Sequence, residues 1–102
     1  RSSLMEEFVY YGELYDLYGG LLTDKQKKYF EDYYFLNLSL GEMAENYQVS
    51  RNAIFRQVHI VTKKLEEYEE ILQLYQKKKK LEEVLTCNSL EEVKRQIESI
   101  IE

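Results

Sequence analysis

Four times along this chain a Ser or Thr is followed three residues later by Glu or Gln, each time at the head of a segment with apolar residues at helical spacing. The pairs are Ser3/Glu6, Thr23/Gln26, Ser39/Glu42 and Ser89/Glu92. In such a box the hydroxyl accepts the backbone N–H three residues on, while the Glu or Gln side chain accepts the cap's own N–H. Two orphan donors are satisfied at once, and a helix start is marked. Ser50 supplies a fifth, simpler cap. The chain has no proline and no sustained period-two alternation, which leaves little room for strands. The fold class expected is all-α.

With 102 residues and 44% hydrophobic content the chain is long enough for one core. No apolar run of membrane-spanning length occurs, and no basic-then-apolar leader opens the sequence. No membrane insertion and a cytoplasmic location are therefore expected. Met5 is a candidate initiator, so some of Arg1, Ser2 and Ser3 are read as carried over from expression and are given no function, although Ser3 can still cap a helix. Cys87 is the only cysteine. It allows no internal disulfide and no cysteine-rich metal site.

The first helix is expected from about Leu4 to Tyr18, with Leu4, Phe8, Tyr11, Tyr15 and Tyr18 on one stripe, ended by Gly19-Gly20. Core packing accounts for these aromatics through their spacing. A second helix should run from Asp24 to about Leu36. With ten tyrosines in all, the core should have polar tips near its rim. A short third helix, Leu40 to Tyr47, has Leu38 and Met43 placed as a hydrophobic staple around Ser39. Val49 and Ile54 bracket Ser50 in the same relation. The few residues between Tyr47 and Ser50 then form a tight turn between two helices, the layout of a helix-turn-helix over residues 39–65.

From Ile54 the apolar positions Val58, Val61, Leu65, Tyr68, Leu72 and Tyr75 follow at alternating spacings of four and three, a heptad seam. It predicts a fourth helix that continues to about Leu85, with Ile71, Leu74, Leu81 and Leu85 as a second line. Leu90, Val93, Ile97 and Ile100 define a last amphipathic helix. The expected organisation is a helical bundle over residues 1–65 and a helical extension over 66–102. The apolar surface of the extension suggests a homodimer; the competing outcome is that the last helix folds back onto its own chain.

A net charge of −5 looks wrong for a nucleic-acid binder until it is divided along the chain. Residues 1–50 carry −5, residues 51–64 carry +4 with no acid, and residues 65–102 carry −4. On a helical wheel Asn52, Arg56, His59 and Lys63 form one polar stripe opposite Ile54, Val58, Val61 and Leu65. Asn and Arg are shaped to pair with adenine and guanine edges, and a recognition helix reads bases from its N-terminal part. The candidate nucleic-acid-binding residues are Ser50, Arg51, Asn52, Phe55, Arg56, His59, Lys63 and Lys64. A merely solvated helix face is the alternative. The Lys77 to Lys80 run and the glutamates at 66, 67, 69 and 70 read as helix surface, the lysines pairing with Glu70, Glu82 and Glu83.

Catalysis has little to stand on. His59, the only histidine, has no sequence-near carboxylate to orient it, and Gly19-Gly20 lacks the lysine and hydroxyl residue of a phosphate loop. The chain reads as a non-enzyme without catalytic, metal or cofactor residues.

The sequence also resembles the YlxM-like proteins of Gram-positive bacteria, over most of residues 7–76. The likeness rests on Leu14-Tyr-Asp-Leu-Tyr18, Leu21-Leu-Thr-Asp-Lys-Gln26, Leu38-Ser-Leu-Gly-Glu42 with Ala44-Glu45, Val49-Ser-Arg51 and Leu65-Glu-Glu-Tyr-Glu-Glu70. It implies a fold similar to region 4 of sigma factors, within the winged-helix/homeodomain-like bundles. It also implies a regulatory protein associated with the signal recognition particle pathway. That association makes an RNA- or protein-binding adaptor of the particle the rival to a DNA-binding regulator. The recognition helix departs from the family's usual one after Ala53, and Asn52, Phe55 and His59 look like local choices.

Overall fold

The computed structural model describes residues 4–102, with Leu4 described for its backbone alone; the expected Ser3/Glu6 cap and the Leu4 side chain lie outside the described part. Six α-helices follow one another: α1 (Leu4–Tyr18), α2 (Asp24–Phe30), α3 (Leu40–Tyr47), α4 (Arg51–Leu72), α5 (Leu74–Val84) and α6 (Leu90–Ile101). A 3₁₀ turn, Gly19–Leu21, follows α1, and a π-helical segment, Glu31–Phe35, extends α2. No strand occurs among the described residues. The chain is an all-α helix-turn-helix protein.

Of the three boxes within the described residues, Thr23/Gln26 and Ser39/Glu42 are closed, while Ser89/Glu92 forms only its hydroxyl half. Thr23 Oγ1 accepts the Gln26 N–H at 3.1 Å while Gln26 Oε1 accepts the Thr23 N–H at 3.0 Å. Ser39 and Glu42 repeat the exchange at 3.0 and 2.8 Å. Accepting those hydrogen bonds holds the Glu42 carboxyl below its ordinary pKa. Ser50 and Ser89 cap α4 and α6 through the amides of Ala53 and Glu92. Each such cap is worth about 1 kcal/mol.

α4 is the common wall of two hydrophobic clusters. Ile54 and Val58 close one with Tyr29, Met43 and Ala44, from α2 and α3. Val61 and Leu65 close the other with Leu14, Tyr18, Leu22 and Phe30, from the first part of the chain. Tyr34 packs against both. Several of the tyrosine hydroxyls meet carboxylates. Tyr11 Oη donates to Glu66 at 2.9 Å, Tyr18 Oη to Glu69 at 2.6 Å, and Tyr15 Oη to Glu31. Burial, reinforced by the adjacent carboxylate, pushes the Tyr11 and Tyr15 phenols up to about 12, so they stay protonated donors. Glu66 and Glu69 were expected on the surface; Glu69 is in fact only 6% exposed. A heptad pattern marks where apolar residues fall and is blind to a carboxylate facing a tyrosine on another helix.

The expected continuous helix to Leu85 is interrupted at Gln73, which adopts the left-handed conformation (φ 55°, ψ 31°). Restarting a helix frees amides, and side-chain acceptors take them. Tyr18 Oη accepts the Leu74 N–H at 3.0 Å; Glu69 accepts those of Tyr75 and Gln76 at 3.0 and 3.2 Å. Tyr10 and Tyr75 meet edge to face at 5.2 Å, and Lys79 bridges to Glu13 of α1 at 3.4 Å as well as to Glu82 at 3.7 Å. The predicted Glu70 and Glu83 partners of the lysine run form no ion pair among the described residues; α1 supplies the partner instead.

Beyond this joint α5 and α6 form an antiparallel hairpin. α6 folds back onto α5 of its own chain, and its far end brings Ile100 and Ile101 round a groove with Leu17 and Leu74. The hairpin projects from the bundle. The radius of gyration is 17.5 Å and the extents are 58 × 24 × 21 Å, against about 13 Å expected for a compact domain of this length. Fold-back does not cover the apolar surface, since Leu81, Leu85, Leu90 and Ile101 stay 47%, 84%, 68% and 78% exposed.

Candidate nucleic-acid interface

The helix-turn-helix is built by a short chain reversal. Gln48 ends α3 in the left-handed conformation, its N–H bonds the Glu45 carbonyl at 3.3 Å, and the Val49 N–H bonds the Ala44 carbonyl at 3.1 Å. This is the Schellman pair that satisfies the last carbonyls of a helix. Two residues later Ser50 starts α4. The staple expected around Ser39 is formed, with Met43 fully buried and Leu38 packed in the same cluster. Around Ser50, Ile54 is fully buried while Val49 stays 43% exposed. The Schellman hydrogen bonds anchor that turn.

Burial of Ile54, Val58, Val61 and Leu65 fixes the rotation of α4 about its axis. Arg51, Asn52, Arg56, His59 and Lys63 are consequently exposed, and Lys64 is half-buried. Arg51, Arg56, Lys63 and Lys64 form no ion pair among the described residues. The first turn of α4 contains no acid, so the positive end of the helix is uncompensated. Ser50 caps α4, its Oγ accepting the Ala53 N–H at 3.0 Å, which sets the helix start and leaves its O–H as a donor.

Phe55 is 57% exposed and belongs to neither core cluster. Its ring lies 6.4 Å from that of His59 and 13° from parallel. Both line a cleft of about 140 Å³ with Tyr33, Tyr34, Val58 and Thr62. The sequence pattern gave no reason to join Tyr33 and Tyr34 to the stripe. The one available signal was Thr62, a hydroxyl residue one turn after Val58 on the buried side. It is 7% exposed and donates to the His59 carbonyl at 3.0 Å.

Among the described residues no group of three or more His, Cys, Asp or Glu is placed to hold a metal ion. No helix there is long and apolar enough to cross a membrane.

Comparison with known proteins agrees with this geometry. The family model described as "helix-turn-helix protein, YlxM / p13 like" matches residues 5–102. The UPF0122 protein of Fusobacterium nucleatum is 38% identical over 97% of this chain and 96% of its own length. The corresponding protein of Halalkalibacterium halodurans is 47% identical over 71% of this chain and 66% of its own. That of a Thermoanaerobacter strain is 39% identical over 95% and 79%. With a tight α3–α4 turn, an exposed basic stripe on α4 and relatives that match it nearly end to end, the chain belongs to the YlxM / p13-like helix-turn-helix family.

Proposed function

We propose that the protein is a non-enzymatic, cytoplasmic regulator that binds nucleic acid through α4, with the major groove of duplex DNA as the target. The observation that carries this reading is the stripe itself. Asn52, Arg56, His59 and Lys63 are exposed together on the side of α4 opposite its buried seam. Their basic members have no carboxylate partners to give up. Arg51 and Lys64 extend the cationic surface toward phosphate, Asn52 supplies a donor and an acceptor suited to an adenine edge, and Arg56 supplies paired donors suited to guanine.

The division of labour is part of the proposal: residues 1–65 present the recognition helix, and residues 66–102 form a dimerising extension. The flanking segments carry −5 and −4, so long-range attraction to DNA is weak and one module alone binds modestly. Two modules on two half-sites offset that weakness. The exposed apolar face of the hairpin supports self-association. Light scattering at micromolar concentration is expected to give twice the chain's 12.3 kDa mass; a monomeric mass rejects the homodimer.

Arg56→Ala is expected to cost about 1–3 kcal/mol on the preferred site and to relax specificity there, whereas Lys63→Ala weakens binding to all sequences alike. Neither side chain faces the core, so thermal unfolding stays near wild type. Titration of the three proteins against the best site from a selected pool tests this, and equal binding by all three moves the function to another surface.

The same uncovered hairpin face favours a second reading, an RNA- or protein-binding adaptor of the signal recognition particle. Including the particle's RNA in the titration at two salt concentrations separates the two, because phosphate contacts impose a salt slope on either nucleic acid. Tight RNA binding without a preferred DNA site selects the adaptor.

A further inference from the structure

We propose that the cleft between α4 and the π segment holds one unpaired base of the bound nucleic acid, so that the target is a duplex interrupted at a single nucleotide. This rests on the nucleic-acid reading above and specifies what the stripe recognises. The cleft has a floor of Val58 and Thr62, 8% and 7% exposed, and its open side carries the rings of Phe55 and His59. At about 140 Å³ it has room for one planar ring system and little else.

A fully paired groove gives Phe55 only a thymine methyl to touch, whereas the face of an extruded base covers the whole ring. Aromatic side chains accept any base in this way, by stacking. The neighbouring phosphates of an extruded nucleotide need cations on both sides. Arg56 and Lys63 flank His59 along the stripe, one turn away in each direction, with no acid between them. The hydroxyls of Tyr33 and Tyr34 have no hydrogen-bond partner among the described residues, which leaves donors for the edge of a base. Burial, with the nearby phenols and carboxylates, raises the Tyr34 phenol and keeps it a donor at neutral pH.

The test uses two stem-loops of identical sequence, one with a single unpaired adenine in its stem, each made as DNA and as RNA. A version with 2-aminopurine at the unpaired position reports stacking through its fluorescence. Wild type is expected to bind the interrupted stem roughly 5- to 150-fold more tightly than the paired one, the range set by one stacked base, and to quench the 2-aminopurine. Phe55→Ala and Phe55→Leu should lose that margin and the quenching, weakening the interrupted stem far more than the paired one. Arg51→Ala, outside the cleft lining, should weaken both stems and keep the margin. The DNA and RNA series identify which backbone carries the base. Equal binding of both stems by wild type overturns the base pocket and leaves the groove-binding reading standing. Equal weakening of both stems by Phe55→Ala overturns it too, making Phe55 a groove contact. Binding of neither stem by wild type defeats both readings together.

Discussion

Replacing Phe30 by alanine is expected to lower stability by about 3–5 kcal/mol, the usual cost of emptying a fully buried aromatic site. Phe30 is completely buried. It stacks on Tyr15 at 4.5 Å and 3° and on Tyr34 at 4.5 Å and 24°, and Phe35 meets its edge at 5.5 Å. The void cannot close easily, because two of its walls are tethered: Tyr15 is bonded to Glu31 and Tyr34 is wedged against Phe8 at 4.7 Å. Small domains have total stabilities of about 5–15 kcal/mol, so this one site decides whether the bundle stays folded when warmed. At about 4–8 °C per kcal/mol the midpoint should fall by roughly 12–40 °C. Phe30→Leu, which keeps most of the volume, should cost less than about 1.5 kcal/mol. Thermal unfolding followed by circular dichroism checks both, and a Phe30→Ala midpoint within a few degrees of wild type would mean that the π segment shifts to refill the site.

How much of this could be read from the chain depends on how far apart the interacting residues are. Thr23, Ser39, Ser50 and Ser89 act within three residues of themselves, and all four caps form where the sequence places them. The breaks at Gly19 to Thr23, Asn37 to Ser39, Gln48 to Ser50 and Thr86 to Ser89 are equally local and are present. The exposure of Asn52, Arg56, His59 and Lys63 follows from the burial of the opposite face. What they bind does not follow, because recognition depends on a second molecule. The π segment was hidden because Phe30, Tyr33 and Tyr34 have the same spacing in either helix type; the Leu36 N–H reaching the Glu31 carbonyl, five residues back, makes the difference. The break at Gln73 was hidden for a different reason. Its compensation lies in Tyr18, on a helix more than fifty residues earlier, and no local window contains both.

That hidden joint carries the second large effect. Glu69→Ala is expected to cost about 3 kcal/mol, concentrated in α5 and α6. Glu69 is buried and accepts three hydrogen bonds, from the Tyr18 hydroxyl and the Tyr75 and Gln76 amides. Each bond to a charged acceptor contributes about 1.5–3 kcal/mol. The sum is reduced because Gln76 is exposed and Tyr75 half-buried, so their amides regain water. Tyr18 should be affected as well, since its hydroxyl also accepts the Leu74 amide and without Glu69 loses the group that orients it. The consequence is positional: α4 carries the exposed polar stripe at one end and the α5–α6 hairpin at the other, and the hydrogen bonds of Glu69 and Tyr18 hold the joint between them. In the proposed dimer joined through the hairpins, the geometry of this joint would set the spacing of the two α4 stripes and of the proposed half-sites. Amide hydrogen exchange in Glu69→Ala should accelerate at Leu74, Tyr75 and Gln76 and through α6, while the α3–α4 turn keeps wild-type protection. Tyr18→Phe, which removes only the hydroxyl, should show the same pattern more weakly. Uniform loss of protection across α1 to α4 in Glu69→Ala would instead make Glu69 a general core group, and the hairpin angle would need another determinant.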